Sequence, residues 1–131
     1  MKKILLPLLA CFALVTSVFA GSDKVADISH DDLKAAVASG KVALIDVNGS
    51  DTYNTGHIPG AIDFEASEAK LASLLPADKS ALVVAYCGNE KCGAYKQGVK
   101  AAEKLGYTNV QHYSKGIAGW KKAGEKTAKG S

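Results

Sequence analysis

The sequence predicts an α/β domain built on a mostly parallel sheet. Three observations carry that prediction. Residues 42–47 (VALIDV) and 81–86 (ALVVAY) are apolar almost throughout, the composition of strands covered on both faces. Other stretches repeat their apolar residues at helical spacing. Ala94, Gly98, Ala101, Ala102 and Leu105 form one face, and Lys96, Lys100, Glu103 and Lys104 form the wet one. Strand and helix patterns also alternate along the chain, the order that builds parallel βαβ units.

Taken in order, residues 1–20 form a leader rather than part of the domain. Lys2 and Lys3 open it, an apolar run spans residues 4–19, and Val18-Phe19-Ala20 offers small residues for cleavage before polar Gly21-Ser22-Asp23. This is the pattern of a secretory signal peptide, and the run is short for a membrane span of ~20 residues. The expected product is exported, periplasmic or secreted, with no stable membrane insertion after cleavage. Processing as a lipoprotein at Cys11 is the weaker alternative, because the apolar run continues past it.

Residues 21–131 then form a single domain. Residues 25–28 read as a short strand. Ser29 caps a helix through Leu33, Ala36 and Val37, with Asp32 three residues on, and Gly40 ends it. After the strand at 42–47 comes a polar segment with Gly56, Pro59 and Gly60. A helix over 65–75 follows, stopped by Pro76. The strand at 81–86 leads through a loop to a helix over 93–105. A strand at 109–113 and a short helix at 117–123 complete the domain. The lysine- and glycine-rich tail, 124–131, is expected to fray.

Charge and composition exclude several functions. The formal net charge is +3, and loss of Lys2 and Lys3 with the leader lowers it by two. Such a balance offers no nucleic-acid face and no polybasic membrane patch. Without Cys11 the domain keeps two cysteines, Cys87 and Cys92. His30, His57 and His112 lie in separate segments without ligand spacing, so neither metal nor cofactor is expected.

Cys87 is the candidate nucleophile. It follows the carboxyl end of a buried strand and precedes a helix, where ligands of open α/β sheets bind. Gly88, Asn89, Glu90, Lys91, Cys92 and Gly93 form the loop between, and their amides are expected to cradle an anion. Those donors would favour the thiolate of Cys87, its reactive form. A cysteine inside the strand would instead read as a small core residue.

The blocks LIDV (44–47), YNTGHIPGAI (53–62), VVAYC (83–87), GYTNV (106–110) and GIAGW (116–120), in that order, resemble a rhodanese domain. The likeness is greatest to exported single-domain members, including periplasmic polysulfide–sulfur transferases. It implies a five-stranded, mostly parallel sheet flanked by helices, and a sulfurtransferase acting through a Cys87 persulfide. Implied partners are small sulfur compounds: thiosulfate, polysulfide, persulfides and thiols. The resemblance also makes residues 87–92 a six-position active loop. Related phosphatases and arsenate reductases have a longer loop ending in arginine, and this chain contains no arginine at all.

Many rhodaneses carry arginine at the positions of Asn48, Gly88 and Cys92. Help for an anionic substrate then falls to loop amides and Lys91, and donors less highly charged than thiosulfate should be preferred. Cys92 either fills the sixth position, resolves the persulfide, or pairs with Cys87. Two alternatives to a transferase follow: a thiol–disulfide redox protein using Cys87 and Cys92, and a non-catalytic sulfur carrier. Asp46 and His57 read as supporting residues, an acceptor orienting nearby loops and a neutral imidazole bridging loop backbone.

Overall fold

The computed structural model describes residues 25–130; the leader, its cleavage point and Cys11 lie outside them. Five strands form one sheet: β1 (Ala26–Asp27), β2 (Ala43–Asp46), β3 (Ile62–Asp63), β4 (Val83–Tyr86) and β5 (Val110–Tyr113). Their spatial order is β1-β5-β4-β2-β3, and every pairing is parallel. Asp46, Asp63, Tyr86 and Tyr113 stand level at the carboxyl edge.

The two apolar runs are explained by a core on each face. Alternate side chains Leu44, Val84 and Tyr86 enter one core with Leu33, Tyr53, Ile58, Ile117 and Trp120. Ile45, Val83 and Ala85 enter the other with Phe64, Leu71, Val99, Ala102 and Tyr107. Helices α1 (His30–Ser39), α2 (Ser50–Thr55) and α6 (Gly116–Lys122) therefore cover one face. Helices α3 (Phe64–Ser67), α4 (Leu71–Leu74) and α5 (Tyr95–Lys104) cover the second. Period-two alternation between two dry layers leaves no polar side to the strand.

Helix ends follow local chemistry. Ser29 Oγ accepts the Asp32 N–H at 3.1 Å, and Gly40 closes α1 in the left-handed region at φ 69°. Gly98 lets α5 lie close to the sheet: a Cβ there would stand 3.1 Å from Ile45 and Val47 and 3.2 Å from Ala85. The helix expected over 65–75 is instead α3, a 3₁₀ turn (Glu68–Lys70) and α4, because Ser67 and Lys70 leave helical backbone angles. Between Phe64 and Leu71 no side chain is buried, so no continuous apolar face holds one straight helix there.

Residues 124–130 make contacts with the rest of the domain. Trp120 Nε1 donates to the Lys126 carbonyl at 2.8 Å, and Glu125 meets Lys34 Nζ at 3.0 Å. His57 and Ala128 exchange two backbone hydrogen bonds of 2.9 Å, and the Gly130 N–H reaches the Asn54 carbonyl at 3.1 Å. A composition that reads as solvated is held here by backbone pairing, which composition does not encode. Among the described residues no helix is long and apolar enough to cross a membrane.

Candidate active site

Cys87 is the first residue beyond β4, at the carboxyl edge of the sheet, and is 3% exposed. Below it lies a closed hydrogen-bonded junction. The Tyr86 hydroxyl donates to Asp46 Oδ2 at 2.7 Å and accepts the Ile58 N–H at 3.0 Å. Asp46 Oδ1 accepts the Asn48 N–H at 2.8 Å. Burial pushes the Asp46 carboxyl up, and the bonds from Asn48 and Tyr86 offset part of that rise. Burial, and then the Asp46 charge, push the Tyr86 phenol far above its usual range, so it stays a neutral donor. Asp46 thus ties the loop after β2 to the segment containing Ile58, as an acceptor.

Cys87 and Gly88 are pinned by α6. The Ile117 N–H reaches the Cys87 carbonyl at 2.9 Å and the Ala118 N–H reaches the Gly88 carbonyl at 3.0 Å. Gly116 permits this approach. Its φ is +61°, and a Cβ there would stand 2.5 Å from the Cys87 carbonyl oxygen and 2.7 Å from Gly88 backbone atoms. The far half of the loop folds on itself. Lys91 N–H donates to Asn89 Oδ1 at 2.9 Å and Cys92 N–H to the Asn89 carbonyl at 3.1 Å. The amides of Gly88, Asn89, Glu90 and Gly93 donate to no acceptor among the described residues.

Cys87 and Cys92 form a disulfide, with Cα atoms 6.2 Å apart. Cys92 is half-buried, so its sulfur belongs to the more open residue of the pair. In this paired state Cys87 is not a free thiolate.

The remaining predicted residues divide. Asn89, Glu90 and Lys91 join Lys115, Ala118, Gly119, Lys122 and Ala123 around an open groove of about 700 Å³. Three lysines against one glutamate make it basic. Lys115 and Lys122 were not singled out from sequence; their spacing of seven residues, two helical turns, was the available signal. Asn48 also borders the loop: its Oδ1 lies 3.5 Å from where a Gly88 Cβ would stand, and its buried Nδ2 has no partner. His57 contacts Tyr53 and Ala128 and makes no hydrogen bond to the loop among the described residues. Its Nδ1–H donates to the Tyr53 carbonyl at 2.8 Å, and its ring stacks on Tyr53 at 3.7 Å. Tyr95, beside the loop, stacks on His112 at 4.2 Å. Among the described residues no group of three or more His, Cys, Asp or Glu is placed to hold a metal ion.

The fold and site together define a domain class, and comparison with known proteins supplies its family. The family model of the rhodanese-like domain matches residues 29–123. The chain belongs to the rhodanese-like family. It is 32% identical to an HTH-type transcriptional regulator of Mycobacterium tuberculosis over 88% of this chain, and spans 50% of that protein's length. It is 30% identical to the thiosulfate:glutathione sulfurtransferase of Homo sapiens, over 71% of this chain and 90% of that protein. The structure of a human single-domain sulfurtransferase superposes with a TM-score of 0.56 at 26% identity, covering 76% of this chain and 97% of that one. These likenesses support a sulfurtransferase.

Proposed function

We propose that the chain moves sulfane sulfur from thiosulfate, polysulfide or a persulfide to a thiophilic acceptor through a persulfide on Cys87. One observation carries the reading: Cys87 heads a loop pinned at its near end by α6, with the amides of Gly88, Asn89, Glu90 and Gly93 uncommitted. Reduction of the bridge frees the Cys87 thiolate, which those dipoles stabilise. The thiolate attacks the outer sulfur of thiosulfate; the S–S bond breaks and sulfite leaves with the electron pair. The negative charge then sits on the outer sulfur of Cys87–S–S⁻. An acceptor thiolate, sulfite or cyanide attacks that sulfur and regenerates the Cys87 thiolate.

The human relative's name brings thiosulfate and glutathione forward as donor and acceptor. Lys91, Lys115 and Lys122 along the groove favour an anionic partner of this kind, since their charge draws it toward the loop. With no arginine for a bidentate grip, we expect polysulfide to outcompete thiosulfate. Export after cleavage at Ala20 is part of the proposal, and the Cys87–Cys92 bridge suits an oxidising compartment.

The same bridge favours a second reading, a thiol–disulfide redox protein. Steady-state sulfur transfer under reducing conditions separates the two. Cys87→Ser should drop turnover below about a thousandth, whereas Cys92→Ser should continue to turn over. Loss of turnover in both variants would favour the redox protein; full turnover in Cys87→Ser would sink the transferase.

A further inference from the structure

We infer that Cys92 is a resolving thiol, which gives the site a second outlet: release of the bound sulfur as sulfide. The inference rests on the persulfide reading above and adds an activity to it. The geometry comes from the loop itself. α6 fixes the carbonyls of Cys87 and Gly88, and the turn at Asn89 carries Cys92 back over them through the bonds to Lys91 N–H and Cys92 N–H. The two Cα atoms end 6.2 Å apart, inside the bridging range of about 4.4–6.8 Å. A thiol held at this separation reacts as an internal nucleophile, with no encounter step.

The step balances. The Cys92 sulfur attacks Sγ of the Cys87 persulfide. The bond between Sγ and the outer sulfur breaks, and its electron pair leaves with the outer sulfur. That sulfur takes the Cys92 proton and departs as HS⁻. The outer sulfur is reduced to sulfide, and the two cysteines are oxidised to the disulfide seen in the structure.

Resetting the site needs a reductant, and its class is an external dithiol. Cys87 is 3% exposed and Cys92 is half-buried, so the incoming thiolate attacks Cys92 Sγ. Cys87 leaves as the thiolate, the form that the free loop amides favour and therefore the better leaving group. The second thiol of the reductant then displaces Cys92 and ends as a disulfide. Over one cycle a thiosulfate and a dithiol yield sulfite, hydrosulfide, a proton and the oxidised dithiol. A free acceptor competes with Cys92 for the same persulfide, so acceptor supply sets how the sulfur is divided.

The test uses fully reduced protein without oxygen or free thiol, given thiosulfate, whose own leaving group is sulfite. Wild type should release about one sulfide per chain and lose about 2 Da as the bridge closes. Cys92→Ser should release less than about a tenth as much sulfide and hold a gain of about 32 Da on Cys87. Cys92→Ala serves as the second variant, with circular dichroism to confirm folding, and polysulfide as a second donor read by mass alone. Wild type that keeps the added sulfur without sulfide, or variants that release sulfide as wild type does, overturn the inference and leave the transferase reading standing. Folded variants that take up no sulfur from either donor bring down the transferase reading and the inference with it.

Discussion

Two adjoining regions at the carboxyl edge of the sheet differ in how their polar groups are used. In the junction beneath Cys87, Asp46, Tyr86 and the Asn48 and Ile58 amides satisfy one another in a buried cluster. In the loop above it, four amides are left without an acceptor among the described residues, and the lysines beside them line an open groove. The junction has spent its donors on holding position. In the proposed reaction, the loop keeps its donors available for an anion that arrives and leaves. A site of this kind combines a rigid support with unfilled dipoles, because donors already aimed need no rearrangement when charge appears.

The comparison breaks most completely at Gly116, where the two α6 bonds meet the loop. Gly116→Ala places a Cβ against Cys87 and Gly88 backbone at a positive φ. We expect a loss of about 2–4 kcal/mol in stability. Sulfur transfer should also fall on the order of a hundredfold, because the nucleophile is displaced. Denaturant melts and single-turnover loading check the two effects, and wild-type loading in Gly116→Ala would disprove the pinning. Next comes the junction. Tyr86→Phe leaves a buried carboxylate oxygen and the Ile58 N–H unpaired, at a cost of about 1–3 kcal/mol by urea unfolding.

Smaller changes sharpen the contrast from the loop side. Lys91→Gln and Lys115→Gln should each raise KM for an anionic donor about three- to tenfold with little change in kcat, and added salt should blunt the difference. An unaltered KM in both variants would remove the groove from substrate capture. The smallest effect is a pH slope at the flank, where Tyr95 stacks on His112. Burial lowers the His112 pKa, and the Asp27 charge restores part of it. The unfolded chain therefore binds this proton more readily. Its stability contribution is complete above the ordinary histidine range, ~6.5, and is lost as pH falls through the lowered folded value. Denaturation of His112→Gln across that window should show a shallower slope than wild type.

Much of this arrangement was legible in the residues. β2 and β4 are visible because strands covered on both faces must be apolar in succession, and Cys87 falls directly after β4, whereas β5, with Gln111 and His112 at its centre, is legible only from its place in the strand–helix alternation. Ser29 and Gly40 mark α1 because caps depend on local chemistry. By contrast, α2 is six polar-rich residues with only Tyr53 buried, too short for a periodic signal, and β3 is a two-residue edge strand. The docking of residues 126–130 and the basic groove both join residues distant in sequence. Nothing in Lys115 or Lys122 alone says that Asn89 and Lys91 will face them across an open groove.

Gly98 has a wider consequence. By seating α5 against Ile45, Val47 and Ala85, it stops that helix from sliding toward or away from β4. Both ends of the connecting segment, from Cys87 to Gly93, are then tied to packed elements. The number of residues between those ties, more than their identity, limits how wide the segment can open.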